Sequence, residues 1–380
     1  MRAHHPIVLP LLFLLFFSLA TQAASRNTPV VLADSRPVDL VIVLDTSGSM
    51  EELLDSVRAR VWDIINEFGR MRPTPYLRVG LLSYGSDDST EEDGWIVLHS
   101  DLTDDLDALY AELMALRTSG SVEYVGRALD VAVHEMDWSP DWDGLRLVFV
   151  AGNESADQGM DEVDFRQVAL DAGDKDILIN ALYAGNREQG VSENWHEVAQ
   201  HGHGNFSAID VKRGMAQIPT PHDELLLRLN ASLNETYLPY GERGADGLAN
   251  QLAQDNNASR LGVESCSSRI VAKGSALYTN ASWDLVDAMV KEEFQIASLR
   301  TQDLPEEMQG MEEQQRVAYV QAKRAQREDI QRQIQELSAE REAFLVQAKR
   351  DELGALGLDE AIRQAIRAQA KAKGFTCDGC

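Results

Sequence analysis

Apolar residues fall in short dense runs over the first half of the chain. The stretches "VDLVIVLD" (38–45), "LRVGLLSY" (77–84), "WIVLHSDL" (95–102), "LRLVFVAG" (145–152), "DILINALYAG" (176–185) and "NFSAID" (205–210) read as six strands. Several are continuous rather than alternating, as strands buried on both faces are. Between them, Glu51–Arg70, Asp104–Leu116, Tyr124–Met136, Asp164–Asp171 and Glu193–Gln200 carry helical spacing. Leu106, Leu109, Tyr110, Leu113 and Leu116 make one such stripe. The second and third strands have no helix between them, so 95–102 is the expected antiparallel edge. Strand–helix alternation predicts an α/β fold with a doubly wound, mostly parallel sheet.

The pattern changes after a helix expected at Thr220–Tyr237. Residues 238–304 read as a helical linker region, with a stripe at Leu285, Val286, Met289, Val290 and Ala297. From Pro305 to 351 the chain is rich in Glu, Gln, Arg, Lys and Ala. Ile330, Ile334, Leu337, Arg341, Phe344 and Ala348 step by four and three, a heptad seam with Arg341 as a polar intruder. A coiled coil over 305–351 is expected, folded on its own chain or self-associating with a second copy. Residues 352–380 add a short helix, Leu358–Lys373, and the terminal "CDGC".

The amino terminus, "MRAHHPIVLPLLFLLFFSLATQAAS", has a polar start, an apolar core and small residues before Ala24. It reads as a signal peptide over 1–24, cleaved near Ala23. The alternative is an uncleaved anchor, for which the apolar run is short. Cleavage would leave no transmembrane anchor and an exported chain, periplasmic or secreted. The formal net charge of -27 excludes nucleic-acid binding through a basic surface and favours metal cations or basic partner surfaces. Export permits disulfides, and three cysteines leave one odd: Cys266, Cys377 and Cys380. The C-x-x-C pair ends the chain on no thioredoxin-like unit, so a terminal disulfide or a tether is favoured over redox catalysis, and Cys266 is a further pairing candidate. His196, His201 and His203 match no standard zinc spacing. The "NAS" triplets at Asn230, Asn257 and Asn280 are set aside because the chain looks bacterial. The loop "SDDSTEEDG" (86–94) holds five carboxylates between the second and third strands, either a selectivity loop for basic partners or, the favoured reading, a solvated turn.

Candidate chemistry lies in "DTSGSM", Asp45 to Met50, where the first strand meets a helix at the sheet's carboxyl edge. A nucleophile elbow needs a glycine two residues before the serine, and a P-loop needs a lysine; both are missing. A helix N-cap is the plainest use of Asp45. One carboxylate and two hydroxyls at alternate positions also suit a hard divalent cation.

These residues resemble the von Willebrand factor type A domain and its metal-ion-dependent adhesion site, over roughly residues 36–237. Asp45, Ser47 and Ser49 match the first motif, D-x-S-x-S. Counting back from Ala128–Leu129 in "TSGSVEYVGRAL" puts Ser121 where the family has a metal-binding Thr, with Glu123 just beyond. Asn153, in "FVAGN", stands where the family has an Asp. Asn keeps an acceptor oxygen and drops a charge, which lowers the expected metal affinity; Glu154 would restore the charge if it turned inward. The resemblance implies Mg²⁺ or Mn²⁺ held by Asp45, Ser47, Ser49, Ser121 and Asn153, and ligation of a carboxylate from a protein partner. The expectation is a non-enzymatic, exported binding or adhesion protein. A structural cell-envelope protein with a vestigial metal site is the alternative, and a thiol-disulfide enzyme the weakest reading.

Overall fold

The computed structural model describes residues 35–377, apart from 141–142, 160, 212–217, 292 and 350–356. The expected signal peptide and Cys380 lie outside the described residues.

Eight strands form, β1 (Pro37–Asp45), β2 (Met71–Arg72), β3 (Tyr76–Tyr84), β4 (Ile96–Thr103), β5 (Leu145–Gly152), β6 (Ile177–Ala184), β7 (His203–Ile209) and β8 (Thr376–Cys377). Six make the main sheet, in the order β4-β3-β1-β5-β6-β7. All its pairs are parallel except β3–β4, so the edge strand runs antiparallel as expected. β1 and β5 are apolar on both faces because both faces are covered. From β1 the chain moves outward through β3 to β4, then crosses to β5 on the other side. The order reverses beside β1, and the carboxyl ends of β1 and β5 border the crevice where such sheets place ligands.

One face is covered by α3 (Val125–His134), α4 (Phe165–Asp174) and α6 (Trp195–His201), which pack Val125, Leu129, Phe165, Val168, Trp195 and Val198 onto Val41, Val43 and Val148. A short helix the hydrophobic pattern did not announce, α5 (Arg187–Ser192), precedes α6. The other face carries α1 (Glu51–Gly69) and α2 (Leu106–Ala115). Glu51 and Glu52 sit in the first turn of α1, where the helix dipole favours negative charge. Leu53, Leu54, Val57, Val61, Ile64 and Phe68 recur at helical spacing and are buried. Asp105 caps α2 by accepting from the Ala108 amide at 3.0 Å.

Helix α12 (Leu358–Ala372) completes that second face. It packs on α1, β5 and β7 and buries Leu358, Ile362, Ala365 and Ile366. The Gln369 amide exchanges hydrogen bonds with Asn180 of β6 at 2.8 and 3.2 Å. Arg367 clasps Glu67 of α1, Lys373 meets Asp176, and β8 pairs with β2. The packed unit around the sheet therefore includes residues more than a hundred positions beyond 237.

Helices α7 (Asp223–Asn234), α8 (Gly244–Leu261), α9 (Val263–Lys273), α10 (Leu285–Ala288) and α11 (Glu313–Lys349) build the remaining helical region. Helix α11 packs along α7 and α9 and beside α10 of its own chain. Ile330, Ile334 and Leu337 are buried there. Arg341 is buried because its guanidinium meets Asp223 of α7 at 3.0 Å. The stripe departs from the expected register at its end, where Leu345 is buried while Phe344 and Ala348 are exposed.

Buried ion pairs join this region to the sheet's cover. Arg269 of α9 reaches Asp107 of α2 at 2.7 Å and Asp255 of α8 at 2.6 Å, with its guanidinium carbon 4.9 Å from the centroid of the Trp62 ring of α1. Lys273 meets Asp255 at 2.9 Å and also donates to Asn230 and Asn234. Charges this deep are tolerated only when paired and hydrogen-bonded. Cys266 is a free buried thiol and Cys377 is disulfide-bonded, which removes Cys266 as the partner of the tail. Among the described residues, no helix is long and apolar enough to cross a membrane.

Candidate functional site

Asp45 is the last residue of β1, and the chain turns there without using it as a cap. The N-cap of α1 is Met50, which makes no side-chain cap. Backbone hydrogen bonds fix the turn instead. Thr46 donates to the Tyr84 carbonyl at 2.8 Å and Gly48 to the Gly120 carbonyl at 3.1 Å, while the Ser119 amide donates to the Thr46 carbonyl at 3.0 Å. Three loops, after β1, after β3 and before α3, are thus held edge to edge.

Asp45 is 1% exposed. Its Oδ1 accepts from the Ser47 amide at 2.8 Å, and its Oδ2 is buried with no hydrogen-bond partner. The Ser47 and Ser49 hydroxyls lie 3.2 Å apart. The Asn153 amide, just past β5, touches Ser49 Oγ through its nitrogen at 3.1 Å and its oxygen at 3.3 Å. Asp45, Ser47, Ser49 and Asn153 therefore lie together at the end of β1 and β5.

Ser121 and Glu123 divide differently. Ser121 is exposed, whereas Glu123 is 4% exposed and lies beside Asp45. The two acids and Ser47 close over Gly85. A Cβ there would sit 3.1 Å from Asp45 Oδ1, 3.3 Å from Glu123 Cγ and 3.4 Å from Ser47 Cβ, and Gly85 has a φ of +86°, so glycine suits this position on both counts. The Glu123 backbone amide donates to Gln158 Oε1 at 3.2 Å, while its own Oε2 is buried with no partner. Sequence spacing pointed two residues short of this group; an acid flanked by Val122, Tyr124 and Val125 was the available signal. Glu154 is exposed, and its carbonyl accepts from the Trp195 indole at 2.6 Å.

Burial raises both acids. Asp45 is pushed up to about 6, chiefly by loss of solvent, against the pull of the Ser47 hydrogen bonds. Glu123 is pushed up to about 8, first by burial and then by the Asp45 charge. Among the described residues no Lys or Arg pairs with either acid. Two buried carboxylates, each in contact with the other and with Ser47, form with the Ser47 and Ser49 hydroxyls an oxygen-only donor set. Such a set fits Mg²⁺ or Mn²⁺, and it lacks the thiolate or imidazole that softer metals favour. No cluster of three or more His, Cys, Asp or Glu suited to a metal occurs among the described residues.

The acidic loop borders this edge. Ser86 and Ser119 hydroxyls are 3.0 Å apart, and the Asp87 amide donates to Ser119 Oγ at 3.2 Å. Asp87, Asp88, Glu91, Glu92 and Asp93 are all exposed, as a solvated turn requires. His196, His201 and His203 lie around α6 and the start of β7 and form no metal group.

Residues 39–214 match the family model of the von Willebrand factor type A domain. No curated protein matches the chain significantly. Among solved structures, proximal thread matrix protein 1 from the mussel byssus, with a zinc-occupied MIDAS motif, aligns at 14% identity and TM-score 0.37, covering 47% of this chain and 43% of that one. The pilus adhesin SpaC of Lactobacillus rhamnosus GG aligns at 16% identity and TM-score 0.35, over 47% of this chain and 28% of that one. The SpRpn10 VWA domain aligns at 15% identity and TM-score 0.35, over 46% of this chain and 88% of that one. The chain thus spans less than half the length of the first two.

Proposed function

We propose, from the premise that residues 39–214 form a von Willebrand factor type A domain, that this chain is a non-enzymatic binding protein whose cation site recognises a protein partner. The reading rests on Asp45 Oδ2, buried and unpartnered at the sheet's switch point beside the Ser47 and Ser49 hydroxyls. Asp45, Ser47 and Ser49 would hold Mg²⁺ or Mn²⁺, with Asn153 orienting Ser49. The cation supplies an electrophilic position that a partner's carboxylate can ligate. The backbone-pinned loops keep the hydroxyls placed, and the acidic rim selects partners that surround their carboxylate with basic groups. The amino-terminal 1–24 supports placing this activity outside the cytoplasm, in the periplasm or secreted. The seam of α11 supports an internal role for 305–351, since α7 and α9 already occupy it.

Thermal unfolding of the full chain in Mg²⁺ or Mn²⁺ against chelator tests the reading. A ligand at a hundred times its Kd stabilises by about 2.7 kcal/mol. The stabilisation should vanish in Asp45→Ala. Equal unfolding temperatures with millimolar cation and with chelator would overturn the proposal.

A further inference from the structure

A groove opens at the end of α1 farthest from Asp45. Two distant parts of the chain line it, the junction of α1 with β2 and the junction of α12 with β8, around a volume of about 580 Å³. That volume is in the range of small-molecule sites. At 1.5 Å per helical residue, α1 sets the groove roughly 25 Å from the β1 turn.

The end of α12 builds its floor. Gly374 takes a φ of +83° and its amide donates to the Lys371 carbonyl, while the Phe375 amide reaches back to the Ala370 carbonyl, both at 3.0 Å. This Schellman turn returns Phe375 and Ala370 to one lining, which Met71 joins because β2 pairs with β8. The surface they offer is mostly carbon. The rim is cationic. Glu67 is the only acid lining the groove among the described residues, and it is buried. Arg367 holds it through Nε at 2.8 Å and Nη2 at 3.0 Å, and Arg70 approaches at 3.3 Å. Arg367 keeps Nη1 without a protein acceptor. Neighbouring Lys373 is paired with Asp176, whereas Lys371 is exposed at the rim and makes no ion pair among the described residues. In a chain of net charge -27, an unbalanced ammonium beside an apolar hollow is a local exception.

The combination selects a ligand class. A cation would be repelled by Lys371, a neutral apolar molecule would leave it unused, and a small hydrophilic anion would gain nothing from the floor. We infer that this groove binds a free single-chain anionic amphiphile of the fatty-acid type. Its alkyl chain lies on Met71, Ala370 and Phe375, and its carboxylate meets Lys371 and Arg367. Covering the chain contributes affinity with the carbon area removed from water, and the head group adds charge-assisted hydrogen bonds. The net charge of -27 repels an anionic bilayer, so the amphiphile arrives as a monomer. The groove is separate from the β1 edge, and the inference stands without the cation-site reading.

Calorimetric titration of the full chain in chelator tests this, with decanoate, decanol and decyltrimethylammonium, each kept below aggregation. Decanoate should saturate at one molecule per chain. Decanol should bind about tenfold more weakly or worse, since a hydrogen bond to a charged group is worth at least that factor, and the cation should not bind. Lys371→Glu should weaken decanoate by about the same factor and leave decanol unchanged, a split that mere loss of structure would not produce. Ala368→Trp, on the exposed wall, should block both. Unfolding temperatures check that the variants fold. No saturable decanoate binding, equal binding of all three probes, or decanoate affinity unchanged in Lys371→Glu overturns the inference. Co-sedimentation with phosphatidylglycerol vesicles without decanoate binding overturns it as well, because the cationic rim would then act on a membrane surface rather than through the groove.

Discussion

Ile366→Ala should destabilise the whole sheet unit, although it lies far from the sheet in sequence. Ile366 is 0% exposed, on the face of α12 that covers β5, β7 and α1. Its neighbours Leu358, Ile362 and Ala365 line the same interface, so little can collapse into the space left. Truncating a buried Ile to Ala costs about 2–5 kcal/mol, the lost transfer energy plus the cavity. Unfolding entropy scales with chain length, so for a unit of this size that cost is about 3–7 °C in Tm. The assay is thermal unfolding followed by circular dichroism, with exposed Lys371→Ala as the control. Lys371→Ala should stay within about 0.5 kcal/mol of wild type. If Ile366→Ala matched the control, α12 would not be part of the sheet's core. The same reasoning predicts that a fragment ending at 237 exposes the α1 side of the sheet and aggregates.

Three further outcomes follow from named groups. In chelator, stability should fall as pH rises from about 4 to about 8: Asp45 and Glu123 titrate near 6 and 8, so the folded state holds protons there that the unfolded state has released. Urea unfolding at pH 5 and pH 8 reads this, and Glu123→Gln should flatten the upper part; identical slopes for the two proteins contradict the assignment. Arg269→Met should cost about 3–5 kcal/mol in urea unfolding, because it breaks buried pairs with Asp107 and Asp255. Gly120→Ala should weaken Mn²⁺ binding several-fold: at a φ of +76°, the new Cβ would lie 2.4 Å from the Gly85 carbonyl oxygen and part the two loops. Unchanged affinity there would show that the loops need not touch.

The central sheet was legible because its strands are buried on both faces, and continuous apolar runs such as "LRLVFVAG" have few other readings. The antiparallel edge followed from the missing helix between β3 and β4. The role of α12 was not legible. Its stripe of Leu358, Ile362 and Ile366 shows that one side is covered, and nothing local says by what. The seam of α11 has the same character: the spacing of Ile330, Ile334 and Leu337 gave the face, while Asp223, more than a hundred residues away, explains why Arg341 sits in it. At the site, Asp45, Ser47, Ser49 and Asn153 could be read from motif spacing because each lies within a few residues of a strand end. Ser121 and Glu123 sit on a loop whose path, set by Ser119 and Gly120 bonding to the β1 turn, decides which of them faces inward. Spacing alone does not contain that path.

The claim that the β1 edge is a cation site is tested most directly by counting bound Mn²⁺ from the paramagnetic resonance signal of the free ion. Asp45→Asn is the decisive variant, since it keeps an acceptor for the Ser47 amide and removes the charge. One saturable Mn²⁺ per wild-type chain is expected, and none in Asp45→Asn at the same concentrations. Equal binding by both proteins, or none by wild type, would contradict it.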